Sequence, residues 1–266
     1  MPAIPWLPLF LVFLTCMEVF ERYLSYRQWR RNCSPEIPPE VKELVKEDTF
    51  KKSQAYNRDK RLFSMVESVV QFARMFLMLY LFAYPQIWRW AGIVGGENEY
   101  VQSLTFLSMT MTIDYVSSIF FEIYGIFVIE EKHGFNKMTP MLFVSDQIKT
   151  TALTLVIGFP VVCGVIWLIK WGGKQFYVWL WGATMVFTIA MSMLYPNLIA
   201  PLFNKFEPLN NEELRKKIED LAASLKFPLK KLFQMDGSKR SAHSNAYFYG
   251  FWWAKRIVIF DTLLKV

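Results

Sequence analysis

The stretch TTALTLVIGFPVVCGVIWLIKW, residues 150–171, decides the fold class of this 266-residue chain. Lys170 is its only charged residue, and a helix of about 20 apolar residues crosses the hydrocarbon core of a bilayer. The chain as a whole is 53% hydrophobic and 17% aromatic, which is too apolar for an ordinary soluble domain. We therefore predict an all-α polytopic membrane protein with about five spans, at residues 4–24, 62–84, 101–129, 150–171 and 176–199.

Lys and Arg are distributed unevenly between these spans. The loop after the first span has ten, the next only Arg89, the next three, the next two, and the tail beyond residue 203 twelve. Positive residues favour the cytoplasmic side, so the tail and the richer loops are expected there and the N-terminus opposite. The sequon Asn32-Cys33-Ser34 is then expected to stay unglycosylated. The net charge of +7 reflects this orientation, and no basic patch interleaved with exposed aromatic residues points to a nucleic-acid partner.

The remaining segments predict a transmembrane region over residues 1–203 and a small C-terminal α+β element over 204–266. Before the second span, residues 40–61 have the pattern of a short amphipathic helix. In the tail, residues 210–227 predict an amphipathic helix with Asn211 as N-cap, and residues 230–235 a short strand. The apolar stripe of the helix at 210–227 is formed by Leu214, Ile218, Leu221 and Leu225.

Residues 239–264 are the only long stretch with β character. Residues 241–249 alternate, which puts His243, Asn245 and Tyr247 on one face of a strand. Gly250 breaks this run, and residues 255–261 predict a second strand, so the pair is expected to form a hairpin. An edge strand can hold an extended peptide by strand addition, and an amide such as Asn245 both donates and accepts. The alternative that Asn245 only satisfies a turn remains open.

Several ionisable residues fall inside the predicted spans. Glu67 and Arg74, with Gln71, share one face of the second span, and Asp114 and Glu122 share a face of the third. A charge at mid-bilayer costs roughly 3 kcal/mol, so such residues normally face a bundle interior or a water-filled cavity. Each of them alone could instead pair with a helix neighbour. Together they predict a wet cavity among the helices.

The chain offers little for metal chemistry. A catalytic zinc needs three protein ligands, and the sequence has only two histidines, His133 and His243, neither of which begins a His-Glu-x-x-His helix. The three cysteines, Cys16, Cys33 and Cys163, are too widely spaced for a zinc cluster. No complete zinc site is expected within these residues, and His243 is more typical of a structural strand histidine.

Four blocks resemble the type 1 CAAX prenyl proteases: EEKHGFNK at 130–137, PNLIAPLFNKFEP at 196–208, SAHSNAYFYG at 241–250 and RIVIFDTLL at 256–264. These are integral-membrane zinc metalloendopeptidases of the endoplasmic reticulum and inner nuclear membrane. The resemblance implies seven long helices around a hollow chamber, with Zn²⁺ at its cytosolic end. It also implies prenylated CAAX proteins as substrates, cleaved to remove the three residues after the prenylated cysteine, and the lipid bilayer as the other partner.

The resemblance also assigns residues. Asn245 is implied to contact the peptide backbone, and His243 and Tyr247 to line the groove. The zinc motif, a later glutamate ligand and the last two spans would lie beyond Val266, so the chain alone is predicted to be inactive. Two alternatives remain: an inactive membrane protein that binds prenylated tails or regulates a full-length protease, and a transporter that uses the same wet interior.

Overall fold

A computed structural model describes residues 6–39, 42–251 and 254–265 of the chain. The chain divides into two compact units, Met1–His133 and Gly134–Val266. The starts of the predicted first span and of the predicted helix at 40–61 lie outside the described residues.

The first unit is helical. Helix α2 packs beside α1 and α3, and α3 packs against α4. A π-helical segment, Gly125–Glu130, continues α4. The helices are α1 at Trp6–Asn32, α2 at Glu47–Tyr80, α3 at Ala83–Gly95 and α4 at Glu99–Tyr124.

Helix α2 corrects the prediction of two separate elements at residues 40–61 and 62–84. It runs without interruption from a charged first part into the apolar second part. Ion pairs one turn apart, Lys51 to Glu47 at 2.6 Å and Lys52 to Asp48 at 2.8 Å, support the charged part. The helical period therefore carries through the change in composition at Leu62.

Helix α3 lies where the sequence predicted the end of a span and a loop. Phe82 takes a left-handed conformation with φ of 53°, which turns the chain after α2. Pro85 then stands in the first turn of a new helix, where its missing N–H costs no hydrogen bond. Ile87 and Ala91 are buried, at 4% and 0% exposure. With 13 residues, α3 is about 20 Å long, which is too short to cross a bilayer.

The second unit begins with two long helices. Helix α5 starts ten residues before the predicted span, because Thr139 caps it by accepting from the Leu142 N–H at 3.2 Å and Pro140 occupies the first helical position. A 3₁₀ turn, Gly173–Gln175, joins α5 to α6, and a π-helical segment, Tyr195–Ile199, follows α6. The helices of this unit are α5 at Pro140–Gly172, α6 at Phe176–Leu194, α7 at Ala200–Phe203 and α8 at Glu212–Ser224.

Three helical stretches among the described residues are long and apolar enough to cross a membrane: Glu47–Tyr80, Glu99–Glu130 and Pro140–Phe203, the last containing both α5 and α6. Almost none of the residues in their apolar parts is fully buried within the protein, as expected of helices that contact lipid. Helix α1 is not among these three stretches, because its apolar part carries Glu18, Glu21 and Arg22. The chain is a multi-pass membrane protein, as predicted.

A four-stranded mixed sheet ends the second unit, in the order β1-β2-β4-β3. The central pair β2–β4 is parallel and both outer pairs are antiparallel. The predicted hairpin and the predicted strand at 230–235 are confirmed, as β3–β4 and β2, whereas β1 was not predicted. The strands are β1 at Phe206–Pro208, β2 at Leu229–Met235, β3 at Ala246–Phe251 and β4 at Ala254–Phe260.

Helix α8 covers one face of this sheet. The predicted N-cap is confirmed, since the Asn211 Oδ1 accepts from the Leu214 N–H at 3.0 Å. Leu214 and Ile218 pack on a core of Leu209, Leu232 and Ile259. The other two residues of the predicted stripe, Leu221 and Leu225, are instead 59% and 71% exposed.

The start and end of the hairpin differ from the prediction. Residues 241–245 are not part of the ladder, because the Ala242 N–H donates to the Phe135 carbonyl at 2.9 Å and Ser241 bridges Asn136. Gly250 does not end the strand: it lies within β3 with φ of +119°, and a Cβ there would lie 2.2 Å from the Ala254 carbonyl oxygen. Beyond β4 a 3₁₀ turn forms at Leu263–Lys265, and Val266 lies outside the described residues.

Candidate functional site: the edge strand of the sheet and a polar cleft

Strand β3 has an unpaired edge. The Phe260 N–H donates to the Asn245 carbonyl at 3.0 Å, and the Lys255 N–H donates to the Pro228 carbonyl at 2.9 Å. The backbone N–H and C=O groups of the even-numbered residues of β4 therefore point toward β3, where they meet its odd-numbered residues. Since hydrogen-bonded pairs alternate in an antiparallel ladder, the N–H and C=O groups of Phe248 and Gly250 point away from β4. Within the described residues no strand pairs with this edge, so it can accept an extended peptide.

Asn245 lies directly before this open edge and is exposed. Its Oδ1 accepts from the Ala246 N–H at 2.8 Å, which is the local contact expected of a turn residue. Its Nδ2 makes no hydrogen bond to the described part of the chain, so the amide can still donate to a peptide carbonyl. Both interpretations of Asn245 are thus compatible with the geometry.

His243 and Tyr247 occupy different settings. The His243 ring stacks on Phe135, with centroids 4.1 Å apart and planes at 19°, in the loop before the strand. Tyr247 lies in β3, with its ring edge-on to Phe260 and its hydroxyl 4.0 Å from the Met235 sulfur. Burial raises the pKa of Tyr247, and the neighbouring Tyr249 adds to this. Of the two, only Tyr247 extends along the strand.

An arginine clamp holds the loop that leads to Asn245. Arg240 donates to both carboxylate oxygens of Asp146, at 2.7 and 2.9 Å, and to the Asn204 Oδ1 at 2.7 Å. The Arg240 and Asp146 side chains are only 19% and 15% exposed. This clamp was not predicted from the sequence, although Asp146, the only acidic residue of α5, is a signal that a basic partner exists.

The first unit contains a polar cleft of about 620 Å³. Arg74 pairs with Asp114, and its Nε donates to the Gln71 Oε1 at 3.2 Å. Three of the four predicted cavity residues, Glu67, Arg74 and Asp114, line this cleft. The fourth, Glu122, is exposed and is not among the lining residues.

Helix α1 also contributes to this cleft, which was not predicted from the sequence. Glu18 lines it and pairs with Arg22 at 2.8 Å, and Arg22 also donates to the Ser68 hydroxyl. These residues lie near the end of the predicted first span, so their interior position could have been inferred from their spacing of one helical turn.

The described residues do not fit a catalytic zinc. They contain no group of three or more His, Cys, Asp and Glu side chains that could hold a metal ion. His133 is 3.1 Å from the Asp59 carboxylate and edge-on to the Tyr56 ring, and His243 stacks on Phe135. Both histidines therefore have packing roles within the part of the chain that the structure describes.

The chain matches two families in succession. Residues 25–205 match the CAAX prenyl protease N-terminal region with five membrane helices, and residues 208–266 match peptidase family M48. The CAAX prenyl protease 1 homolog of Arabidopsis thaliana is 42% identical over 269 residues, which are 99% of this chain and 63% of the relative. The Homo sapiens homolog is 39% identical over 262 residues, 96% of this chain and 55% of the relative.

The crystal structure of S. mikatae Ste24p has the same fold. It matches with a TM-score of 0.93 and 37% identity, over 99% of this chain and 63% of that chain. The chain thus spans less than two thirds of the length of these relatives. From these matches, the chain belongs to the CAAX prenyl protease family.

Proposed function

We propose that the chain provides the membrane helices and the substrate-binding strand of a zinc metalloendopeptidase that removes the last three residues of prenylated CAAX proteins. Residues 1–203 are the transmembrane region, and residues 204–266 begin the cytosolic peptidase domain. The observation that carries the proposal is the open edge of β3, which starts directly after Asn245. The printed names of the relatives support the substrate class.

The peptide would bind by adding a strand to β3. The backbone groups of Phe248 and Gly250 that face away from β4 are available for its carbonyl and N–H groups. Asn245 would donate its Nδ2 to a peptide carbonyl, and His243 and Tyr247 would contact the peptide on either side. Backbone hydrogen bonds bind any sequence, which suits an enzyme whose substrates share a lipid and a short tail.

The polar cleft of the first unit is proposed to belong to a water-filled chamber lined by Glu67, Arg74, Asp114 and Glu122. Water in such a chamber stabilises charges that lipid would not. The protein is proposed to lie in the endoplasmic reticulum membrane and the inner nuclear membrane, with its C-terminal region in the cytosol.

Zinc, when bound in the family enzyme, supplies the Lewis acid for peptide hydrolysis. We propose that these 266 residues alone neither hold catalytic zinc nor cleave peptide, because neither histidine begins a His-Glu-x-x-His motif.

The test compares two purified proteins: this chain, and this chain joined to the part of the Arabidopsis relative that it does not match. Each is assayed for bound zinc and for cleavage of a farnesylated CAAX peptide, with the same peptide lacking the prenyl group as control. We expect zinc and cleavage only in the longer protein. Stoichiometric zinc and cleavage by the 266 residues would refute their inactivity. A longer protein that binds zinc but cleaves neither peptide would refute the protease proposal.

A further inference from the structure

An arginine lies next to the open edge strand, on one face of the sheet. Arg256 of β4 pairs with Tyr249 of β3. Paired residues of adjacent strands project to the same face, so Arg256 and Tyr249 share a face that ends at the open edge strand. This face is the one opposite α8, since Ile259, at an alternate position of β4, lies in the core under α8.

The guanidinium of Arg256 is positioned by neutral groups. Its Nη1 donates to the Asn197 Oδ1 at 2.6 Å, and its central carbon lies 5.7 Å from the centroid of the Tyr249 ring. Asn197 is itself fixed, because its Nδ2 donates to the Met193 carbonyl at 2.6 Å across the π-helical segment. The single hydrogen bond to Asn197 leaves most of the donors of the guanidinium unused.

Arg256 is half-buried and has no carboxylate partner among the described residues. A carboxylate suits this place best, because the planar guanidinium binds it through two parallel hydrogen bonds.

We infer that Arg256 binds an acidic side chain of the peptide, and so selects substrates by a residue upstream of the cleavage point. This inference rests on the proposed function. Antiparallel strand pairs outnumber parallel ones about two- to three-fold, so the peptide is taken to run antiparallel to β3. Its N-terminal part then passes Tyr249, which is about 13 Å along the strand from Asn245. The acidic residue is therefore expected about four positions N-terminal to the one that faces Asn245.

The experiment measures binding of fluorescent farnesylated peptides to the purified chain in detergent. Peptides with Asp or Asn at successive positions before the prenylated cysteine are compared. For the unmodified chain, the Asp peptide is expected to bind about tenfold more tightly at one of these positions, the factor that one charge-assisted hydrogen bond supplies. Arg256→Gln is expected to reduce this preference to less than about twofold.

Two variants make the result interpretable. Lys255→Gln removes the same charge from the neighbouring position, whose ammonium lies on the opposite face, 4.6 Å from the Phe227 ring centroid, and should keep the Asp preference. Arg256→Glu should reverse it, so that a Lys peptide binds more tightly than an Asp peptide, which also shows that the altered chain is folded.

The outcomes separate the inference from the proposed function. Equal binding of Asp and Asn peptides by the unmodified chain, or a preference that survives in Arg256→Gln, overturns the inference alone. Failure of every farnesylated peptide to bind overturns both the inference and the proposed substrate strand.

Discussion

Arg240 holds the segment of chain that leads into β3. Its side chain joins α5, through Asp146, to Asn204 after α7, and its carbonyl accepts from the Lys137 N–H at 3.1 Å. The same short segment, residues 135–137, holds Ser241 and Ala242. The residues before Asn245 are thus fixed by side-chain and backbone contacts, and Asn245 begins the strand at a defined place.

Substitution of Arg240 by Ala should cost roughly 3 kcal/mol of unfolding free energy, because it leaves the largely buried Asp146 carboxylate without its partner. The measurement is the change in thermal unfolding of the purified protein in detergent. Arg215→Ala is the matched control: Arg215 pairs with Glu219 at 2.8 Å, but these side chains are 54% and 49% exposed, so the loss should stay below about 1 kcal/mol. Similar losses in both variants would contradict the role of the clamp.

Asn245→Ala should weaken peptide cleavage by the longer protein about tenfold, the equivalent of one hydrogen bond, with little change in bound zinc. The reason is that the Nδ2 of Asn245 is expected to donate to a peptide carbonyl, whereas Asn245 takes no part in holding the metal. Asn210→Ala, which removes an exposed amide from the same unit, serves as control. Unchanged kcat/KM in Asn245→Ala would leave Asn245 only the turn contact with Ala246.

Tyr247 predicts a pH dependence. Burial raises its pKa, and the Tyr249 and Tyr195 side chains contribute further. The folded protein therefore keeps the proton at pH values where the unfolded chain, with an ordinary tyrosine pKa of about 10, has lost it. This part of the stability is complete below about pH 10 and is lost as the pH rises through the higher folded-state value.

The measurement compares the unfolding midpoints of the parent and Tyr247→Phe proteins at neutral pH and above about pH 10. The parent should lose more stability than Tyr247→Phe over this interval. Tyr177→Phe, at a position that is 62% exposed, should behave as the parent. Parallel losses in parent and Tyr247→Phe would show that Tyr247 is not the group responsible.

Among the elements, the β3–β4 hairpin depends on one glycine. Gly250 has φ of +119°, and an added Cβ would meet the Ala254 carbonyl oxygen at 2.2 Å. Gly250→Ala should therefore destabilise the protein by roughly 1–3 kcal/mol through backbone strain and displacement of β4. Gly158→Ala in α5, where nothing lies within 4 Å of the added Cβ, should be neutral or stabilising by up to about 1 kcal/mol. Thermal unfolding of both variants checks this. A Gly250→Ala protein as stable as the parent would rule out backbone strain at this position.

The elements that sequence predicted correctly are those set by local pattern. Apolar runs define the spans, and β-branched residues at 255–261 define β4. The incorrect predictions concern segments whose conformation depends on contacts with residues distant in the sequence. The alternation at 241–245 suits a strand, but Phe135 and Asn136 take its hydrogen bonds. The predicted second span runs to residue 84 and so past the true end of α2, because nothing in a bulky residue such as Phe82 signals a left-handed turn.

The site shows the same division. Glu67, Gln71 and Arg74 lie on one face because helical spacing requires it, and this could be predicted. That Arg74 meets Asp114, or that Arg240 meets Asp146, depends on how helices and loops pack. The sequence predicts that such charged residues have partners, but it does not predict which residues these are.

For the whole molecule, orientation in the membrane is the property that the proposed function requires. Helix α3 is too short to cross, so the chain between α2 and α4 stays on one side. Charge counting predicts that this side lies opposite the cytosol, and that the end of α1 and the sheet lie in the cytosol. Under the proposed function, a prenylated protein made in the cytosol would then meet β3 directly.

This orientation predicts the reactivity of Cys33, which is exposed at the end of α1. In sealed vesicles with the cytosolic face outward, a membrane-impermeant maleimide should label Cys33 of a protein in which Cys16 and Cys163 are replaced by Ser. With Cys33 also replaced, Glu97→Cys, between α3 and α4, should react only after detergent opens the vesicles.

Asn32 should carry no glycan, because its sequon would lie on the cytosolic side. Labelling of Glu97→Cys in intact vesicles, with Cys33 protected and Asn32 glycosylated, would reverse the orientation and remove β3 from the compartment of its substrate.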